Sequence, residues 1–407
     1  MSRATFAVRV LATSMSTLLA CGEPPPPSAG SFTDAGAYPP RGEAPLPDAL
    51  SPVDDEVRLE EVPASPCVAT TSARARPITT GGRYLTDLDV VGGHFVARSV
   101  TGDGLLLFDR SGASPRTVTL GTDTRGAASV SGLLVAGVDP ATSILSAQAM
   151  SETGEALGPA QPLGPLRPGR PFAVARSGAQ GLAVWAAPSF DVRARVLDDR
   201  GHAGPVVLLE SGADFDDLSV VAAGSTSASD TGEFLVVWAL RRVALSGYRV
   251  YAARIGQGGL VGKSRLVLAS EVRIALTRLV SFADGEVLLA NRDGEPLVVP
   301  LDLVGRPRDL ATLYRGARDA TIGGGQGLSH DAGGLGLIVA HESGAHALRV
   351  LGRDGRAESG WVCLDAPDPD GFHLGSIASD IGGWTVLLAA PGGTGLLEVD
   401  RSGTSAR

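Results

Sequence analysis

Seven times along this chain a glycine or small polar turn is followed by a short apolar run that ends in small residues: GGHFVAR from Gly92, SGLLVAG from Ser131, QGLAVWA from Gln180, GEFLVVWA from Gly232, GEVLLAN from Gly285, GLGLIVA from Gly334 and GGWTVLLAA from Gly382. A second run follows each after a polar loop and closes on a turn glycine: Gly112, Gly154, Gly201, Gly259, Gly305, Gly355 and Gly403. Acid-x-x-Gly and Asp-Gly between such runs are hairpin signals, because glycine supplies a positive φ and aspartate caps its own turn. A weaker run precedes each unit, as in PFAVARS and LSVVAA, and a short one follows, as in SPRTVTL and GPVVLLE. Four strands per unit, at spacings of roughly 40 to 55 residues, are the sequence form of a β-propeller.

The expected fold is therefore all-β: a seven-bladed β-propeller of four-stranded antiparallel blades over residues 67–407, with a pair of β-sandwiches as the alternative. The final unit stops just after its Gly403 turn and lacks an outer strand. The segment Arg76 to Thr80 resembles the outer strand of the first unit. It is expected to lie beside Gly395 to Asp400, complete the last blade and close the ring, removing an exposed sheet edge.

Composition agrees with short strands and tight turns: 54 Gly, 27 Pro and 5% aromatic residues. The net charge of −9 is uneven. Residues 22–66 hold nine acids against Arg41 and Arg58, and residues 67–407 are close to balanced. With no basic stripe and no interleaved aromatics, the domain is not expected to bind nucleic acid. The 22–66 segment is rich in proline and glycine and has almost no periodic apolar pattern, which predicts a disordered tether. As a flexible coil it would span on the order of 40 Å.

Ahead of the tether, Arg3 and Arg9 precede the apolar run Val10 to Leu19, the layout of a signal peptide over residues 1–21. Leu18-Leu19-Ala20-Cys21 resembles the lipobox of bacterial lipoproteins. The resemblance implies a diacylglycerol on Cys21, and Gly22 after it implies the outer membrane. No later run is long enough for a transmembrane helix, so the lipid is expected to be the sole membrane attachment. Cys67 and Cys363 then remain as a pair in an oxidising compartment, where a disulfide is the default. Residues 67–407 resemble, by pattern, secreted bacterial repeat lipoproteins with propeller-like domains.

Candidate chemistry is sparse. His341-Glu342 with His346 has a spacing of five, where a zinc-protease helix needs four, so no zinc site is expected. Asp365, Asp368 and Asp370 resemble part of a calcium loop, but the EF-hand frame would place Ala366 and Ile377 where Asp and a bidentate Glu belong. The glycines from Gly323 to Gly327 lack the strand–turn–helix context of a phosphate cradle. No Gly-x-Ser-x-Gly elbow occurs. Trp185, Trp238 and Trp384 are read as core. No cofactor, metal or catalytic residue is assigned.

These readings point to a monomeric, non-catalytic binding or scaffold module of the cell envelope that presents propeller loops to a protein or glycan. The loop candidates are Asp123, Arg125, Asp214, Asp216, Asp217, Arg241, Arg242, Asn291, Asp293, Arg318, Asp319, His341, Glu342, His346, Asp368 and Asp370. The alternative is a glycan-active hydrolase or lyase using paired carboxylates in the funnel. For the anchor, Cys21→Ser should move the protein from the membrane to the soluble fraction, followed by fractionation and labelled-palmitate incorporation. A wild-type chain that never takes up label would contradict it.

Overall fold

The computed structural model of the chain describes residues 57–62, 76–78 and 85–400, the last range with breaks at 100, 102, 110, 113–114, 130, 212–214, 225–231, 243–246, 260, 283–284, 324–333, 342–345, 353, 365–372, 381–382 and 391–392. Two short strands come first, β1 (Arg58–Glu61) and β2 (Arg76–Ile78). Six sets of four consecutive strands follow. They are β3–β6 (Leu85–Val91, His94–Ser99, Leu105–Asp109, Arg116–Val118) and β7–β10 (Thr122–Ser129, Gly132–Val138, Ile144–Met150, Gln161–Pro165). Next are β11–β14 (Phe172–Ser177, Gln180–Ala186, Val192–Leu197, Val207–Glu210) and β15–β18 (Phe215–Gly224, Phe234–Arg242, Tyr248–Ile255, Arg265–Ser270). The last two are β19–β22 (Ile274–Phe282, Gly285–Arg292, Glu295–Asp302, Thr312–Arg315) and β23–β26 (Ala317–Gly323, Gly334–His341, His346–Gly352, Val362–Leu364). Each set is an antiparallel sheet in sequence order. A further sheet joins β27–β29 (His373–Asp380, Gly383–Ala390, Gly393–Asp400) to β2, which pairs Arg76 with Leu396 and Ile78 with Thr394. The architecture is an all-β propeller of four-stranded antiparallel blades.

The strand patterns follow from position within a blade. Second strands are buried on both faces, as in β8 and β12, and so read as continuous apolar runs. Third strands alternate buried and half-buried residues, as in β9 and β13. Apolar clusters lie between neighbouring sheets rather than inside any one. Trp238 and Leu182 share one cluster from the third and fourth sheets, and Leu235 and Leu288 share another from the fourth and fifth. Trp185 and Trp238 are fully buried. Strand β27 packs against both β23 and β3, and Leu387 and Leu396 join Phe95 and Phe108 in a cluster.

The recurring turn glycine has two reasons to be glycine. Gly112, Gly154, Gly201, Gly259, Gly305 and Gly355 all have φ between +72° and +85°, and each amide donates to the carbonyl three residues earlier at 2.9–3.1 Å. In addition, a Cβ at any of them would meet a different sheet at 2.4–3.3 Å: Ile78, Leu107, Ala149, Val207, Ala252 and Pro300 respectively. Asp109, Asp198, Asp302 and Asp354 cap these turns, each Oδ1 accepting the amide two residues on at 2.8–3.0 Å.

The tether expected over 22–66 is corrected at its end. Arg58–Glu61 form β1, a fifth strand paired in parallel with β22, with Arg58 N donating to Ala311 O at 2.9 Å and Val62 N to Arg315 O at 3.0 Å. An uncovered sheet edge offers unpaired backbone groups. The local pattern suits that edge, since Arg58 and Glu60 turn inward while Leu59 and Glu61 face out. Glu60 pairs with Arg349 of the neighbouring sheet, Arg58 with Asp309, and Val62 is buried beside Tyr314. Cys21, Cys67 and the side chain of Cys363 lie outside the described residues.

Gly305→Ala should lower the free energy of unfolding by about 3 kcal/mol, combining left-handed backbone strain with overpacking against Ala252 and Leu235. Gly294→Ala, at φ +95° with nothing within 4 Å of a Cβ, should lose about 1 kcal/mol from strain alone. Urea unfolding of both variants checks this, and equal losses would show that the inter-sheet approach is unimportant.

Candidate functional site

Five first strands, β3, β7, β11, β15 and β19, surround a cavity of about 410 Å³. As the innermost strand of its sheet, each presents backbone N–H and C=O groups with no further strand to pair them. Side chains from adjacent first strands fill part of that need. Asp89 Oδ2 accepts from Ala128 N at 3.3 Å, and Ser219 Oγ accepts from Leu276 N at 3.0 Å.

Near their starts, most of these strands carry a β-bulge, between Thr86 and Asp89, Thr122 and Arg125, Phe215 and Asp217, and Leu276 and Arg278. Strand β11 runs without one. A bulge re-aims the side chains around it. In β3 and β7 the same string recurs, Thr86-Asp87-x-Asp89 and Thr122-Asp123-x-Arg125, with Asp87 at φ +53° and Asp123 at φ +48°. Aspartate tolerates this region better than most residues.

The charges so placed are knitted together across sheets. Arg98 donates from Nη2 to Asp123 Oδ1 at 2.6 Å, and its Nη1 lies 3.5 Å from Asp87 Oδ2. Arg125 donates to the other oxygen of Asp123 at 3.3 Å and to Phe172 O at 2.7 Å, and stacks over the Phe172 ring 4.6 Å from its centroid. Arg278 reaches from β19 to Leu88 O in β3 at 3.2 Å, spanning sheets that are not neighbours in sequence. Asp89 faces the cavity but is enclosed by protein, and desolvation raises its carboxyl above the usual aspartate range against the opposing pull of Arg278. Farther along, Arg176 is buried and donates to the carbonyls of Gly178 and Ser131, both at 3.3 Å. Burial lowers its guanidinium pKa.

A second cluster joins the fourth and fifth sheets. Asp217 Oδ2 accepts from Arg273 Nε at 2.9 Å and from the Tyr248 hydroxyl at 3.1 Å. Arg241, backbone-paired with Asp217, sits 5.7 Å from the Tyr248 ring centroid. Burial, then the Asp217 charge, raises the Tyr248 pKa.

The structure thus brings Asp123 to Arg125, and Asp217 to Arg241. Asp216 lies in β15, Arg242 at the end of β16, and Arg318 and Asp319 in β23, their side chains outside the described residues. Asn291 is the penultimate residue of β20 and serves its own turn, its Oδ1 accepting from Gly294 N at 2.7 Å, with Asp293 at φ +51°. His341 ends β24. His346 is a correction: rather than standing in a loop, it starts β25 and is buried, because pairing with Ala340 on one side and Leu364 on the other places it inside the sheet. Asp214, Glu342, Asp368 and Asp370 lie outside the described residues.

Sequence reasoning missed Asp87, Asp89, Arg98, Arg176, Arg273 and Arg278. The repeated Thr-Asp-x-charged string would have exposed the first two. Arg98 and Arg176 sit at strand ends with no such mark.

No protein-family model matches the chain, and no curated protein matches it. Solved structures do. A prolyl endopeptidase aligns at 14% identity and a TM-score of 0.50, over 80% of this chain and 48% of that one. The β-propeller domain of the Trilobed protease from Pyrococcus furiosus aligns at 10% identity and 0.46, over 80% and 94%. YCF48 from Cyanidioschyzon merolae aligns at 15% identity and 0.45, over 80% and 98%. The chain spans about half the length of the endopeptidase. At these identities the likeness shows the fold alone.

The raised Asp89 carboxyl has a pH signature. A carboxyl whose folded pKa lies above its unfolded value of 3.8 contributes stability at low pH that is lost as pH rises through the folded pKa. Asp89→Asn removes that loss. The melting temperature of Asp89→Asn minus that of the wild type should therefore increase as pH rises from about 4 towards neutrality. A difference that is flat or falls across that range would show that Asp89 is not destabilised by its enclosure.

Proposed function

We propose that this protein is a lipid-anchored binding module of the bacterial cell envelope, held at the outer membrane through Cys21. Its six consecutive blades and the composite sheet of β2 and β27–β29 form a closed seven-bladed ring. The ring presents one face, where the first strands begin and the second strands end, to a protein or glycan.

One observation carries this reading. The described carboxylates at that face are held by arginines that link sheets, Asp123 between Arg98 and Arg125 and Asp217 against Arg273. Such pairs form a fixed, charged recognition surface, the kind of site that loops on a rigid frame supply. The competing reading, a glycan-active hydrolase or lyase, draws on Asp89, whose carboxyl is raised as a general acid requires. It also needs a second carboxylate free to act. Asp87, in the same cavity, is ion-paired with Arg98, so binding is the better-supported function.

The test is affinity capture from cell-envelope extract by the immobilised full chain, in parallel with an array of envelope glycans. Asp217→Ala with Arg241→Ala should abolish retention of the captured ligand, while Arg116→Ala, in β6, should retain it. Equal capture by both variants would move the binding surface elsewhere. Turnover of a glycan that depends on Asp89 would replace binding with catalysis.

A further inference from the structure

We infer that the edge of the fourth and fifth sheets opposite the recognition face rests on a lipid bilayer. Leu303 and Val304 enter its headgroup layer, and Lys263, Arg306 and Arg308 meet anionic headgroups. This deepens the envelope reading above and rests on it for the membrane.

In each antiparallel sheet the third strand ends, and the fourth begins, at the edge away from the starts of the first strands. At that edge β17 joins β18 through Val261 and Lys263, and β21 joins β22 through residues 303–311. The two connections touch through Arg254, whose carbonyl accepts from Gly262 N at 2.8 Å and whose Nε donates to Leu303 O at 2.5 Å. Val261, Leu303, Val304 and Leu310 are 41–47% exposed. Residues 261–265 and 303–308 hold Lys263, Arg265, Arg306 and Arg308 and no acid, and all of these cations but Arg265 are exposed. Asp302, beneath the tip, is half-buried, and its Oδ1 accepts the amides of Val304 and Arg306 at 2.9 and 2.8 Å. The turn thus presents Leu303 and Val304 on a fixed frame. Asp309 is taken by Arg58 and Arg356.

Two independent features commit this edge to lipid. The chain arrives there: β1 runs parallel to β22 with Arg58 beside Thr312, the first residue of β22, so the chain enters β1 from this edge, next to Leu310. The chemistry also fits, because an apolar tip flanked by cations fills the acyl boundary while its charges meet anionic phosphates. Farther round the same edge Leu157 and Val206 are exposed too, but Glu155 precedes the first and Asp198 and Asp199 precede the second, and an anionic surface repels these acids. The contact is therefore confined to the fourth and fifth sheets. Three cations and two half-exposed apolar side chains hold weakly by themselves. Beside an anchor that keeps the domain near the bilayer they fix its orientation, turning the face that carries Asp123 and Asp217 away from the membrane.

The chain from Gly22 to Arg407 lacks the signal run and Cys21 and keeps residues 50–407, which form one compact unit. It is floated with vesicles of phosphatidylglycerol and phosphatidylcholine at millimolar lipid, and with vesicles of phosphatidylcholine alone. Flotation is expected with the first and should be weaker with the second. Leu303→Ser with Val304→Ser should lower binding about fivefold, and Arg306→Gln with Arg308→Gln about tenfold. Val272→Ser, an exposed apolar position between β18 and β19 at the opposite edge, should leave it unchanged. Circular dichroism verifies folding; if the shortened chain does not fold, the same variants are compared in the full chain carrying Cys21→Ser. Failure of the unsubstituted chain to float with the anionic vesicles, or flotation of either folded double variant at its level, overturns the inference. Flotation without palmitate on Cys21 of the wild type removes the anchor and leaves this surface, whereas palmitate without flotation removes this surface alone.

Discussion

A four-stranded sheet whose central strands are apolar on both faces cannot fold alone; it must be covered on each side by another sheet. That constraint organises this protein. It sets the continuous apolar runs of β8, β12 and β20, each buried on both faces, and it distributes the core into clusters between sheets. It also explains the turn glycines, which allow a backbone turn of one sheet to approach the next more closely than any side chain would permit. Stability is consequently shared between neighbours, and a fault at one inter-sheet contact weakens two sheets at once.

The same stacking creates the candidate site. The first strand of each four-stranded set has an unpaired edge, and polar groups gather there because backbone donors and acceptors need partners. The bulges at Asp87, Asp123, Phe215 and Leu276 turn acids and arginines to that edge. Their pairing runs between sheets: Arg98 to Asp123, Arg125 to Phe172, Arg273 to Asp217 and Arg278 to Leu88. The charged face is thus also a set of inter-sheet ties, which keeps its geometry fixed.

Outer edges pose the opposite problem, and here the N-terminal region contributes twice. Strand β2 supplies the outer edge of the sheet containing β27–β29, and β1 covers β22. The second of these contacts uses Glu60 and Arg58, two charges that composition alone assigns to an unstructured acidic segment. A strand of four residues with one buried apolar neighbour, Val62, has too little periodicity to announce itself.

By itself the sequence determined the repeat, the four strands in each unit, the glycine and aspartate turns between them and the origin of β2. These are local properties: alternation, turn chemistry and φ preference act over a few residues and are written in them. Only the tertiary structure decided that Asp89 and Arg278 belong to one cavity, that Asp217 answers Arg273, and that His346 is buried. Residues 88 and 278 belong to strands of different sheets, 190 positions apart, so no spacing along the chain encodes their contact. The anchor implied at Cys21 stands outside both accounts, since it follows from a resemblance in the first twenty-one residues and not from the packing of the domain.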